Sequence, residues 1–533
     1  MVCGRKRRSS GTMSPDFTRF DLNLLPETIL LRIFSYLDYD ELLVCRNVSK
    51  DWRRVSEDRY LWRCLNLSCK RIQSDNWIFR LPIEIRDSVK VVNLMWAYIA
   101  ISAFNCMKAR FRNAEVLLMQ HCKFSVTAGD EGTNSEPLPL KLRVLDVRDI
   151  HGKWFDDIGP ESAMLTMEGM AFSQSMPSDW ISQLSMTWLP KLRVLHIQNN
   201  PSLSDTFLTG ITRNTPLLEA ICVHGCMYVT GSFLKEAIEK LVNLSTLDLN
   251  GTRLEGKYVK EVNWSKSRIF SLNISFCCKL TEADLIYMLP KLRYLRYLQA
   301  SFCGWGRAFT DKVVQQISHD KRLALEALEV QSTFAMSAQG LAQLCKNSPC
   351  LHYLRVGTVM KTSKELALVL ECVAGLRSLS IQMGDSKFSA THLFDMISVA
   401  CKGLETLFLY NFSFESCIEP DLQQSLINLF TCCKKLKNFF TGGYPYSQKL
   451  VIDDVICTIA TSLGRKMNVK QAVQILPSPD ASFDKLLCRS ISKPTYNASS
   501  MKRSIHKAIN CQAFYKSGIQ KLDDYHFYLL RNS

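Results

Sequence analysis

Twenty-one cysteines and nine histidines are the side chains of this 533-residue sequence with the most chemical reach, through metal binding, redox cycling or nucleophilic attack. Their spacing argues against all three. Zinc ribbons and redox dithiols need cysteines at C-x-x-C or similar intervals. No C-x-x-C occurs, and the neighbours Cys277, Cys278 and Cys432, Cys433 would point to opposite faces if they lay in strands. There is no Gly-rich phosphate loop and no nucleophile motif, so the expectation is a non-catalytic chain with no cofactor and no metal site. Spread along the chain without a secretory signal, the cysteines fit a reducing compartment, where most serve as small buried hydrophobes.

With 47% hydrophobic and 22% charged residues the composition is that of a soluble globular protein. Sixty-six Lys and Arg against 50 Asp and Glu leave a net charge of +16. That charge alone does not make a nucleic-acid reader, and no recognised reading module accompanies it. The cluster Arg5, Lys6, Arg7, Arg8 reads either as a nuclear import signal or as a solvated tail, which leaves cytoplasm and nucleus both open. The most apolar stretch, 91–107, is broken by Asn93, Ser102 and Asn105 and is shorter than the roughly 20 residues of a spanning helix, so no membrane span is expected.

The organising signal is a repeat of the form L-x-x-L-x-L-x-x-(N/C). It is clearest at Leu192, Leu195, Ile197, Asn200; at Leu218, Ile221, Val223, Cys226; and at Ile269, Leu272, Ile274, Cys277. Taking the second apolar position as anchor, the phase runs through Leu65, Val92, Leu117, Leu145, Leu165, Leu195, Ile221, Leu247, Leu272, Leu298, Leu328, Leu354, Leu379, Leu407 and Phe439. The mean step is about 27 residues, inside the leucine-rich range of roughly 20–29. The x-L-x-L core alternates with period two, so each unit forms one short strand with its leucines inward. Stretches such as 232–241 and 338–345 carry helical spacing and cover the leucines from outside. One unit cannot bury its apolar face, but a stack can. Cys122, Cys226, Cys277 and Cys303 fall on the N/C position, where packing explains them.

Residues 22–62 follow another pattern. Leu25 and Pro26 precede Leu30, Ile33, Phe34 and Leu37 at helical spacing; Asp38 and Glu41 form a capping box for a second helix; a third runs through Ser49, Trp52 and Val55. About 40 residues bury their own apolar surface poorly, so a partner is expected.

The string L-P-x-x-I-L-x-x-I-F-S-Y-L from Leu25 to Leu37, then Glu41-Leu42, Val48-Ser-Lys-Asp-Trp52 and Leu61-Trp62, resembles an F-box. Followed at once by the repeats, it resembles the F-box/leucine-rich-repeat proteins over about residues 22–441. The fold this implies is an α/β solenoid: a small helical F-box, then a curved leucine-rich-repeat array with a parallel concave sheet and a helical convex side. The boundaries expected are a basic tail over 1–20, the F-box over 21–63, about 15 units over 64–449 with a loop at 129–139, and a basic cap or tail over 450–533.

The function the resemblance implies is substrate recognition in an SCF-type ubiquitin ligase. Its F-box would dock on a Skp-type adaptor and through it a cullin-RING scaffold, while the repeats hold a protein substrate for ubiquitination and proteasomal degradation. An adaptor-independent binding scaffold is the alternative. Leu25, Pro26, Ile29, Leu30, Ile33, Phe34, Leu42, Leu43 and Val48 would form or support the adaptor surface, with Trp52 and Trp62 in packing. Substrate contacts are expected at the outward positions beside the anchors: His196, Gln198, His224, Asp248, Asn250, Asn273, Ser275, Gln299, Ser301, Glu329, Gln331, Arg355, Phe408 and Tyr410. Phe276 and Phe302 near strand ends join them, and the aromatics are the favoured anchors.

Overall fold

The computed structural model describes residues 25–73, 76–125, 138–150, 164–173, 178–318, 323–357, 359–382, 390–410, 420–442 and 455–464. The basic stretch 1–20, nearly all of the 129–139 loop and most of 450–533 therefore lie outside the described residues.

Three short helices open the chain: α1 (Glu27–Phe34), α2 (Tyr39–Cys45) and α3 (Lys50–Ser56). Pro26 sits at the head of α1, where its missing N–H leaves no bond unmade. The Asp38–Glu41 capping box starts α2, with Glu41 Oε2 accepting from the Asp38 N–H at 2.7 Å and Asp38 Oδ1 from the Glu41 N–H at 3.0 Å. Ser49 caps α3, its Oγ accepting from the Trp52 N–H at 3.1 Å. Phe34 meets the edge of Trp52 at 5.1 Å, and Trp62, fully buried, donates Nε1–H to the Ser56 carbonyl at 2.7 Å. Both tryptophans therefore do pack, as their positions imply.

Among the described residues, fifteen parallel strands from Cys64 onward pair in strict sequence order into one sheet, and Arg71–Ile72, Tyr98–Ala100 and Lys123–Ser125 form a second sheet of three strands. The main register passes through Leu65, Val92, Leu117, Leu145, Met170, Leu195, Ile221, Leu247, Leu272, Leu298, Leu328, Leu354, Leu379, Leu407 and Phe439. The expected anchor Leu165 is a correction. It lies in the turn Met164–Thr166 and is 61% exposed, while Met170, five residues on and fully buried, takes the anchor place in the strand Gly169–Phe172. An unbranched thioether fills a leucine site well but is invisible to a leucine pattern.

Helices on the convex side, among them Leu234–Lys240 and Ala338–Lys346, close over the anchors, and one apolar core runs continuously from Leu30 to Ala460. The apolar stretch 91–107 divides into the strands Val91–Asn93 and Tyr98–Ala100 and the first turns of the helix Ile101–Arg110. Among the described residues no helix is long and apolar enough to cross a membrane. A last helix covers 455–462, with Ile456 and Ala460 joining the core.

In the described turns after strands of the main sheet, the fourth residue past the strand anchor enters the left-handed region. Trp96, His121, Asn199, Gly225, Gly251, Phe276 and Phe302 all have positive φ. That turn points the residue's N–H at the next unit, as from Asn199 to the His224 carbonyl (2.7 Å) and from Phe276 to the Ser301 carbonyl (2.9 Å). The ladder thus continues one step past the strand.

The N/C cysteines are buried just beyond this turn. Cys122 Sγ donates to the Leu94 carbonyl at 2.8 Å, and Cys277 Sγ to the Leu249 carbonyl at 3.1 Å. Burial pushes the Cys226 and Cys277 thiols up to about 12 and raises Cys122 and Cys303 as well. Since the thiolate is the reactive form, brief iodoacetamide treatment of the native chain near neutral pH is expected to leave these four unmodified. The exposed Cys69, Cys350, Cys432 and Cys457 should react. Peptide mass spectrometry showing equal labelling of both sets would contradict the packing.

Candidate functional site

Two surfaces are candidates for recognition. The first is the helical segment. Leu30, Phe34 and Leu42 face its interior, whereas Ile29, Ile33, Tyr36, Val44 and Val48 are 41–66% exposed. Ile29 and Ile33 in α1 and Tyr36 two residues past its end follow one another at turn spacing along one stripe, and Val44 in α2 and Val48 three residues past its end form a second. Leu25 and Leu43 are half-buried at the margins, and Pro26 is exposed. Five large apolar side chains left in water on so small a segment mark an interaction surface.

This segment is braced against the solenoid. Lys70 Nζ meets Asp40 Oδ2 at 2.6 Å and lies over the Tyr39 ring, so α2 is tied to the first repeat. Arg46 pairs with Glu57 at 2.7 Å. Burial, partly offset by Lys70, pushes the Tyr39 hydroxyl up to about 12.

The second surface is the concave sheet. Its first half is apolar: Val91, Val116, Leu118, Val144, Ala171, Val194 and Ala220 form a separate buried cluster. Beside their strand starts runs a row of alternating charge, in which Arg143 bridges Glu115 (3.3 Å) and Glu168 (2.8 Å). Farther along, the face turns polar, but much of that polarity closes strand ends. Asp248 Oδ1 accepts from the Asn250 N–H at 3.0 Å, Asn273 Oδ1 from the Ser275 N–H at 3.1 Å, and Asn93 and Asp146 do the same in earlier units. Ser275 Oγ accepts from the Ser301 N–H and Ser301 Oγ from the Gln331 N–H. Glu329 accepts from the Tyr353 hydroxyl at 3.0 Å and lies 3.7 Å from Arg355.

With both surfaces described, the chain can be set beside known proteins. Residues 22–68 match the F-box-like family. Human F-box/LRR-repeat protein 12 is 25% identical over 232 residues, which are 43% of this chain and 64% of that protein. The chain carries an F-box-like segment and is similar beyond it to an F-box/leucine-rich-repeat protein. Mouse lysine-specific demethylase 2B is 24% identical over 270 residues, half of this chain but 18% of that protein, so its named activity stays with it. Less than two thirds of each relative is covered. Among solved structures a chain of the yeast Rad7–Elc1 complex aligns over 78% of this chain and 88% of its own length, with 13% identity and a TM-score of 0.41.

Within the F-box, the structure divides the nine adaptor candidates. Pro26, Ile29, Ile33 and Val48 are exposed, Leu25 and Leu43 half-buried, and Leu30, Phe34 and Leu42 support from within. Tyr36 and Val44, outside the sequence-based set, continue the spacings of Ile33 and Val48 and are exposed beside them. Among substrate candidates, Ser275, Ser301 and Phe408 are buried, as are Asn273, Gln299 and Glu329. His196, Gln198, His224, Asp248, Asn250, Phe302, Gln331 and Arg355 are partly accessible, and Phe276 is exposed. The Tyr410 side chain lies outside the described residues.

His196 is held well below its usual 6.5, first by burial and then by the charge of Arg148 and the neighbouring His224, with a bond from Gln198 opposing. The unfolded chain binds that proton more readily, so stability falls as pH drops below about 6.5 and is level above it. Thermal unfolding between pH 5 and 8 is expected to show this slope weakened in His196→Gln. Equal slopes in variant and wild type would contradict the assignment.

Proposed function

We propose that the chain is a substrate-recognition subunit of an SCF-type ubiquitin ligase. The carrying observation is the pair of exposed apolar stripes on α1 and α2, mounted directly on the repeat array. The F-box docks on a Skp-type adaptor, which brings the cullin-RING scaffold. The repeats hold a protein substrate, which is ubiquitinated and passed to the proteasome, in the cytoplasm or nucleus. The chain forms no covalent bond itself; its contribution is proximity and orientation. Orientation requires a stiff mount. Only seven residues separate α3 from the first strand, and the fully buried Trp62 sits among them. A substrate lysine is thereby presented at a distance fixed by packing.

Co-expression of the full chain with adaptor and cullin tests the reading. The wild type is expected to co-elute with both on size exclusion, and Leu25→Ala with Pro26→Ala to elute alone while keeping its thermal unfolding profile. A folded wild type that elutes alone would overturn the proposal and leave an adaptor-independent binding scaffold.

A further inference from the structure

At the strand-exit rim, four aromatic side chains form a continuous platform. Phe302 lies 5.5 Å from Phe276, 5.8 Å from Trp305 and 6.2 Å from Phe334, centroid to centroid. Phe276, Trp305 and Phe334 are 38–61% exposed. This cluster stands off the concave floor, on the turns that follow the strands.

Backbone conformation makes those residue choices informative. In the two preceding units the left-handed turn position holds Gly225 and Gly251, both with φ +67°. Glycine has no Cβ penalty there. The next two units place phenylalanine in the same position, Phe276 at φ +57° and Phe302 at +53°, and Trp305 follows at +58°. A bulky L-residue in this region is a strained outlier. Burial does not repay that strain at Phe276 and Trp305, since both are exposed. The same turn takes Cys69, Trp96, His121, Asp149, Asn199 and Ser332 in other units, so what distinguishes this stretch is the run of neighbouring aromatics rather than the conformation. The platform is also held in place: a Cβ on Gly306 would collide with the Ser332 carbonyl and the Phe334 ring, so only glycine lets the loop close against that ring.

Charge singles out the occupant. Arg253 stands six residues after its strand anchor, as Phe334 does, and Lys279 seven, as Trp305 does; Arg307 follows Trp305 by two. All three are exposed and, among the described residues, none has an ion-pair partner within 4.0 Å. Glu255, the nearby carboxylate, pairs with Lys257 at 2.9 Å and also lies within the field of Lys279 and Arg253, so one negative charge stands against these cations. The platform is therefore aromatic with an excess of cations around it.

We infer that this rim is the docking site for an acidic protein segment carrying an aromatic or large aliphatic anchor. The inference rests on the substrate-receptor reading and names its substrate class. The anchor stacks on the Phe276–Phe302–Trp305–Phe334 surface, and its flanking carboxylates meet Arg253, Lys279 and Arg307, which gives both a hot spot and a charge filter.

Phe276→Gly with Phe302→Gly tests this without threatening the fold, because glycine is the relaxed residue at a positive φ. The Tm is expected to stay within about 2 °C of wild type. Should it fall further, Phe276→Asn with Phe302→Asn offers a second residue tolerant of that conformation. Three labelled probes are titrated onto the full chain: a peptide with one Trp flanked by Glu and Asp, its Lys and Arg counterpart, and an oligo-dT strand. The acidic peptide is expected to bind at least ~10-fold tighter than the basic one, and the double variant to lose ~10-fold or more. Arg253→Glu, Lys279→Glu and Arg307→Glu together should reverse the peptide preference. Equal binding of both peptides, tighter binding of oligo-dT, or full retention in the double variant would overturn the inference. Adaptor capture is measured on the same samples. Capture without acidic-peptide binding sinks this site alone; acidic-peptide binding without capture upholds the site and sinks the receptor reading.

Discussion

Full-length chain carrying Ile29→Asp and Ile33→Asp is expected to bind a Skp-type adaptor at least ~100-fold more weakly than wild type, with little change in thermal stability. The two isoleucines lie one helical turn apart on the exposed stripe of α1. Buried against an apolar partner, each aspartate would lose its water without gaining an ion pair, at a cost of several kcal/mol. In the free chain both positions face solvent, so the same aspartates are nearly neutral for folding, within about 0.5 kcal/mol each. Leu30→Ala supplies the contrast. Leu30 neighbours Ile29 in sequence but is 4% exposed, and its loss should cost about 2–5 kcal/mol of local stability. Isothermal titration of the adaptor, beside thermal unfolding of each variant, separates the two effects. Binding of the double aspartate variant within threefold of wild type would mean that α1 is not the contact.

The second large effect concerns the repeat register. Met170→Ala is expected to destabilise the unit around Gly169–Phe172 by about 2–5 kcal/mol, while Leu165→Ala should stay within about 0.5 kcal/mol. Met170 is fully buried and paired between Leu145 and Leu195, whereas Leu165 projects from a turn. Because a solenoid's stability is local, with each unit contacting its neighbours, the loss should appear as faster amide exchange in the strands on either side. Equal protection in the two variants would restore Leu165 as the anchor.

Those two residues also show where the sequence is legible. The parallel sheet and its order follow from a period that recurs many times, and one unit that departs from the consensus does not hide it. Within that unit the phase is lost, because Gly169-Met-Ala-Phe offers no leucine where the strand needs one. The capping box at Asp38 and the cap at Ser49 are readable because capping is local chemistry of a few residues. The split between contact and core in α1 is not local. Ile29, Leu30, Ile33 and Phe34 are all apolar, and only the packing of α3, with Trp52 against Phe34, decides which pair is covered.

The concave face is hard to read for a related reason. Period two places Asn273 and Ser275 on the concave side, but their side chains are turned to the backbone as the strand ends, a geometry that polar residue type does not reveal. The aromatic rim is harder still. Phenylalanine carries no signal for a left-handed turn, so only the backbone shows that Phe276 and Phe302 stand where Gly225 and Gly251 stood before them.

The account turns on one contact, and hydrogen exchange of the full chain with and without purified Skp-type adaptor tests it most directly. Adaptor is expected to slow exchange in α1 and through the end of α2 to Val48, and to leave the strands and rim of the solenoid unchanged. A folded chain with no protection in that segment, or with protection confined to the repeats, would contradict it.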